Sequence, residues 1–279
     1  MSEGELVKEA GVVVPESLAE GVEVQYFREF DFGKLDTGLE AFLKAGVHFG
    51  HLKSRRHPRM EPFIFTTRKN ISIINLEEST KLLREAEAFL QSVRKTGKPI
   101  LFVGVKKQTH DAVRSLAERL EESYVVDRWL GGTLTNWNSI RARAKYLVDA
   151  KEKLDRGEFK QYTKLERLKI AEELEKLERK VGGIKTMSEL PGAIVLADAK
   201  EADLVIREAK KVGVPIVGIV DTNADPSQID YPVPGNDDAL SSLRMILASF
   251  GKAILEAGAK QKPGMKEVLA KKEHEAVRG

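Results

Sequence analysis

Apolar positions in this chain alternate between two patterns. Continuous apolar runs stand at 100–104 (ILFVG), 193–198 (AIVLAD) and 215–221 (PIVGIVD), with a shorter one at 124–127 (YVVD). Between them lie stretches with helical spacing: 79–95 (STKLLREAEAFLQSVRK), 107–123 (KQTHDAVRSLAERLEES), 200–213 (KEADLVIREAKKVG) and 236–258, where Asn236 or Asp237 supplies an N-cap. Strands that are apolar throughout and separated by helices predict a parallel sheet covered on both faces. Upstream, 36–46 (DTGLEAFLKAG) predicts a short helix, with Thr37 and Glu40 at capping-box spacing and Gly46 closing the far end. A loop over 47–60 follows, then two short strands, PFIF and ISIIN, around the turn-like TTRKN.

One stretch departs from the alternation. From Ser139 to about Val181 there is no strand signal. Ile140, Ala144, Leu147 and Leu154 keep a narrow apolar seam before a break near DRGEF, and Ile170, Leu174, Leu177 and Val181 keep one after it. Two antiparallel helices packed on each other have this pattern. The expected organisation is a flexible acidic extension over 1–35, an α/β core formed by 36–138 and 182–257, an inserted helical hairpin over 139–181, and a charged tail over 258–279. Enzymes built on such a sheet rarely carry an arm of this kind, so the insertion favours an assembly protein.

Charge changes the picture more than composition does. The formal net charge is +3, but residues 1–40 hold three basic and ten acidic residues, which leaves +10 on the remainder. A basic body points to a polyanionic partner. The chain has no cysteine, so it has no disulfide, no thiol nucleophile and no thiolate zinc site. No apolar run approaches the roughly 20 residues that span a bilayer. The acid-rich start resembles neither a signal nor a transit peptide.

Four constellations invite chemistry. After ILFVG the chain reads Gly104-Val-Lys-Lys-Gln108, and no GxGxxG or GxxxxGK[ST] occurs anywhere. Lys106 and Lys107 are then either solvated or placed against nucleic-acid phosphate, with a mononucleotide as the lesser reading. The segment 220–238 holds Asp221, Asp225, Asp230, Asp237 and Asp238, which suggests Mg2+ or acid–base work. Turn formation and helix capping explain the same aspartates more simply. In HFGHLKSRRHPR, His48, His51 and His57 have no cysteine and no evident carboxylate beside them, so a metal site is disfavoured. With Lys53, Arg55, Arg56 and Arg59 beside Phe49, the loop better fits RNA phosphate and an unstacked base, a solvated loop being the alternative. Finally, RWLGGTLTNW carries both tryptophans and no acid, at the point where the strands give way to the insertion.

Taken together, AGVHFGH with its arginine-rich loop, PFIFTTRKNISIINL, ILFVGVKKQ, RWLGGTLTNW and GIVDTNADPSQIDYPVPGNDDA resemble the small-subunit ribosomal protein two family, bacterial type, in that family's order, from about Leu39 to Leu247. The chain departs from the pattern in its acidic extension, in Arg56-His57-Pro58 where a tryptophan is usual, and in Asn75 of the Ile-Asn-Leu run. The resemblance implies a Rossmann-like, flavodoxin-type parallel sheet with a protruding coiled-coil hairpin. It also implies a non-enzymatic structural role on the solvent side of the small subunit, where head meets body. The implied partners are small-subunit rRNA and neighbouring ribosomal proteins, ribosomal protein one among them, in the cytoplasm. No cofactor, metal, membrane or small-molecule substrate is expected.

On this reading His48, His51, Lys53, Arg55, Arg56, Arg59, Arg68 and Lys69 face RNA from one side of the sheet, and Lys106 and Lys107 do so at a strand end. In the third motif Arg128 faces RNA, Trp129 and Trp137 either stack on bases or pack in the core, Gly131 and Gly132 allow close approach, and Thr133, Thr135 and Asn136 donate hydrogen bonds. The competing class is a flavodoxin-type nucleotide-binding regulator or enzyme using 104–108 and 221–225.

Overall fold

In the computed structural model of the protein, residues 26–28, 30–157 and 163–259 are described. The apolar runs form β4 (Ile100–Val103), β6 (Ala193–Leu196) and β7 (Ile216–Val220), joined by β5 (Ser123–Val125) and β8 (Tyr231–Pro234). All five strands are parallel, in the order β5-β4-β6-β7-β8. Numbered along this sheet the order is 2-1-3-4-5, the flavodoxin-type doubly wound arrangement. The strands stay apolar along their whole length because both faces are covered. Phe102, Val195 and Val217 face a layer made by α2 (Leu76–Thr96), α3 (His110–Leu120) and α7 (Leu240–Ala259). Leu101, Val103, Ile194 and Leu196 face α6 (Asp203–Val212), α4 (Trp137–Asp155) and α5 (Lys164–Val181).

A second, antiparallel sheet precedes this core. Its order is β1-β3-β2, from β1 (Phe49–Leu52), β2 (Ile64–Arg68) and β3 (Ile71–Ile74). The sequence pattern puts β1 inside a loop, because four residues that include Gly50 and His51 carry no strand period. It also makes PFIF a strand, whereas Pro58–Phe63 is a 3-10 helix and β2 begins at Ile64. The five-residue turn shrinks to Lys69 and Asn70, both in the left-handed region at φ 48° and 61°, as a two-residue hairpin requires.

α1 (Leu39–Lys44) begins without the expected capping box. Gly38 is its N-cap, and Asp36 Oδ1 accepts from Gly38 N at 2.8 Å. Gly46, at φ 74°, follows the helix end as expected. α2 starts three residues earlier than its apolar period, because Asn75 accepts from Glu77 N. Asn236 Oδ1 accepts from Asp238 N and Ala239 N and so caps the turn into α7. Asn236→Ala should lower stability by about 1 kcal/mol in urea unfolding, the usual value of such a cap.

The expected flexible extension needs correction at its end. Phe27 is 1% exposed and stacks on Phe32, its N–H donates to Ser115 Oγ at 2.8 Å, and Arg244 lies over the Tyr26 ring. Phe27 and Phe32 are therefore packed into the apolar core, with Tyr26, Phe30 and Leu35 against it, while 1–25 and most of the expected tail, 260–279, lie outside the described residues. Of the proposed helical seams, Ile140, Ala144, Leu147, Leu174 and Val181 are buried, whereas Leu154 is exposed. Among the described residues no helix is long and apolar enough to cross a membrane.

Candidate nucleic-acid interface

The small sheet gathers basic side chains at one end. Lys53 N donates to Asn70 O at 2.8 Å, and Arg68 pairs across the ladder with Ile71. Lys53, Arg68 and Lys69 are thereby brought to the hairpin tip, and Arg55 follows in the 3-10 turn Lys53–Arg55. All four are exposed, and among the described residues none makes an ion pair. The same sheet exposes Phe65 (74%), Phe49 and Leu52, the aromatic and apolar surface expected of a site for unstacked bases. Arg56 and Arg59 behave differently. Arg56 pairs with Glu61, and Arg59 pairs with Asp225 at 2.8 Å and also donates to Ser227. The charge they offer a phosphate is partly spent inside the protein.

A cleft of about 470 Å3 opens at the carboxyl ends of β4, β6 and β7, the switch point of the sheet. From the sequence, Lys106 and His51 are expected to face RNA, and the fold gives both to carboxylates instead. Lys106 Nζ lies 2.8 Å from Asp237 Oδ1 and 2.7 Å from Asp238 Oδ1. His51 Nδ1 lies 3.2 Å from Asp221 Oδ2, and its Nε2 lies 3.4 Å from Asp238 Oδ2. The hydrogen bond to Asp221 raises the His51 pKa against the opposing effect of burial. Burial, with Asp198 and Asp221 nearby, pushes Asp237 up to about 7, while Lys106 acts against that rise. Burial alone would lower the Lys106 pKa, but the bonds to Asp237 and Asp238 outweigh it and hold the ammonium charged.

No carboxylate near the histidines is evident in the sequence, because those that meet His51 arrive from the far side of the chain. Ligand atoms of His51, Asp237 and Asp238 lie within 4.8 Å of one another, close enough for one cation to span them. Of the three histidines only His51 belongs to this set among the described residues, so the absence of a nearby carboxylate read from the sequence does not hold for it. Asp225 and Asn236 do take the turn and capping roles expected of the segment. His48 is half-buried against the Phe49 ring, with its pKa lowered by burial, and Lys107 remains exposed.

The acid-free motif 128–137 is organised by an acid from elsewhere. Glu208 on α6 is buried, and its carboxylate accepts from Trp129 Nε1 (3.1 Å), Gly132 N (2.7 Å), Leu134 N (3.0 Å), and both Thr135 N and Oγ1 (3.2 Å each). Burial on its own raises this carboxyl, but the donors outweigh it and hold the pKa below the usual glutamate value. Trp129 is thus a core residue and not a stacking platform, and Thr133 is buried with its hydroxyl on Leu130 O. Trp137 is only half-buried against the same cluster. Arg128, Gly131, Thr135 and Asn136 stay exposed. Gly132, at φ 90°, makes the turn that aims these N–H groups inward. The sequence does carry one signal for Glu208, a charged residue among the buried positions Val205, Ile206 and Ala209 of α6.

A flavodoxin-type sheet whose strand-end lysine is bound to its own aspartates, with a separate exposed basic and aromatic surface, is an α/β protein with a surface suited to a polyanion. The comparisons agree with that class and narrow it. The family model for ribosomal protein S2 matches residues 42–257, and the chain belongs to that family. It is 45% identical over 239 residues to "Small ribosomal subunit protein uS2" of Roseiflexus castenholzii, which covers 86% of this chain and 91% of that protein. It is 44% identical over 218 residues to the protein of the same name from Chloroflexus aggregans, covering 78% and 92%.

Proposed function

We propose that the exposed cations of the β1–β3 sheet are the main phosphate-binding surface of this chain and that they face small-subunit rRNA. The protein is a structural constituent of the small ribosomal subunit, not an enzyme. The observation that carries the surface assignment is the grouping of Lys53, Arg55, Arg68 and Lys69, unpaired among the described residues, beside the exposed Phe65. Lys107 and Arg128 are further exposed cations, whereas Arg56, Arg59, Lys106 and His51 contribute less, because each is held by an acidic partner.

In this reading α4 and α5 form an antiparallel coiled-coil arm inserted in an α/β core made of 36–138 and 182–257, to which Phe27 and Phe32 of the preceding segment add. The Lys151–Glu178 pair at 2.8 Å and the Ile140–Leu147 and Leu174–Val181 apolar positions support it. Exposed Leu165 and Leu168 on α5 give the arm an apolar surface for neighbouring small-subunit proteins. Ribosomal protein one is a proposed partner, and the bacterial cytoplasm the proposed compartment.

The test is the variant Lys53→Glu/Arg55→Glu/Arg68→Glu/Lys69→Glu, mixed with small subunits depleted of the wild-type protein. Each lost phosphate contact lowers the salt slope of log K by about 0.7–0.9, so four lower it by roughly 3. Binding should weaken about a thousandfold near 0.1 M salt. Co-sedimentation equal to wild type would show that the rRNA surface lies elsewhere.

A further inference from the structure

The motif 128–137 has the form of a phosphate cradle: glycines, hydroxyls, and the backbone N–H groups of Gly132, Leu134 and Thr135 turned to one point. That point is occupied. Five donors from Trp129, Gly132, Leu134 and Thr135 converge on the two oxygens of Glu208, and among the described residues no cation pairs with that carboxylate. The N–H groups that would otherwise bind an RNA phosphate are thus spent on an anion supplied 76 positions away by α6.

The placement has a mechanical result. α4 begins at Trp137, two residues after the last bond to Glu208, so the exit direction of the helix is set where the carboxylate holds Thr135. α6 is itself fixed to the sheet by Val205, Ile206 and Ala209, so the anchor belongs to the rigid core and not to a loop. Of the exposed residues of the segment, Arg128 and Asn136 flank the bonded ones on either side, and Gly131 lies between Trp129 and Gly132.

We propose that Glu208 is the positioning residue of the RNA-facing joint: it fills an anion nest built by Trp129–Thr135 and thereby fixes how Arg128, Asn136 and the start of α4 are presented to rRNA. The inference rests on the reading of this protein as an rRNA-binding subunit component, and it goes beyond that reading by assigning a role to a buried acid that does not touch RNA.

The test uses the full chain with Glu208→Ala, Glu208→Gln and Glu208→Asp. The two tryptophans give two indole N–H signals in a nitrogen–proton spectrum, and that of Trp129 reports its bond to the carboxylate. In Glu208→Ala this signal should move, and the Gly132 and Leu134 amides should exchange about tenfold faster or more, the factor carried by one hydrogen bond to a charged group. Acetate has the size and charge of the atoms removed, so adding it should restore both readouts where chloride at equal ionic strength does not. Acetate should also recover subunit binding, itself weakened about tenfold or more. Glu208→Gln, isosteric but with an N–H2 facing donors, should show the same loss, and Glu208→Asp a smaller one. Should Glu208→Ala fail to fold, Glu208→Gln carries the same comparison.

If the indole signal and the amides are unchanged in Glu208→Gln, the nest is wrong. If they change while subunit binding stays at wild type, the positioning role is wrong. Neither result bears on the cations of the β1–β3 sheet, whose charge-reversal variant fails or succeeds separately.

Discussion

Replacing Lys106 by methionine is expected to lower the stability of the protein by about 3 kcal/mol at pH 8 and by clearly less at pH 5. Lys106 is the ammonium between Asp237 and Asp238, and Asp198 and Asp221 are also buried at this strand end. Removing the ion-pair partner of a buried charge leaves that charge poorly compensated, which costs more than the pair itself contributes. The pH dependence follows from the direction of the Asp237 shift. Its folded pKa, about 7, lies above the ordinary 3.8, so between those values the folded state holds a proton that the unfolded chain has released. Stability from this group therefore falls as pH rises through that window. At pH 5 Asp237 is already protonated with Lys106 present, and without Lys106 its carboxyl is pushed further up, so the loss at that pH is the smaller one. Urea unfolding at the two pH values, in chelator-treated buffer so that no divalent cation replaces the ammonium, gives the comparison. An equal loss at both would show that the aspartates do not depend on Lys106.

Gly183→Ala is expected to cost about 3 kcal/mol, at the upper end for overpacking, while Gly131→Ala should stay within about 0.5 kcal/mol. Gly183 lies in the 3-10 turn Gly182–Ile184, where the chain returns from α5 to the sheet. A Cβ there would fall inside the van der Waals shell of the Tyr124 carbonyl oxygen on β5 and also press on the Tyr124 ring. The nearest obstacle is backbone, so a rotamer change cannot relieve it. Gly131 has open space around it, with nothing within 4 Å of the point where an alanine methyl would stand. Matched thermal or urea unfolding of the two variants should separate them, and equal losses would mean that the turn does not approach β5 this closely.

The central sheet is legible in the sequence because its strands are buried on both faces, and a fully apolar run is the direct imprint of that. β1 is not, since Phe49-Gly-His-Leu52 pairs with β3 through a bulged register and exposes both ends. β8 reads as turn because two of its four residues are proline. The cations Lys53, Arg55, Arg68 and Lys69 can be found locally, each being a charged residue on a short loop or hairpin. What the sequence hides are the partners that disqualify other candidates. Lys106 meets Asp237 across 131 positions, the His51 backbone meets Thr222 across 171, and Trp129 meets Glu208 across 79. A motif scan sees neighbours along the chain, and these groups become neighbours only when the sheet assembles.

β8, Tyr-Pro-Val-Pro, sits at one edge of the five-stranded sheet, and the three-residue β5 sits at the other. Pro232 and Pro234 have no N–H to give, so a strand approaching that edge finds the donor half of its ladder missing. A three-residue border on the opposite side is too short to hold a partner. A sheet closed in this way is a poor template for sheet-to-sheet aggregation, which suits a basic protein that must remain separate in a crowded solution until its nucleic acid is at hand.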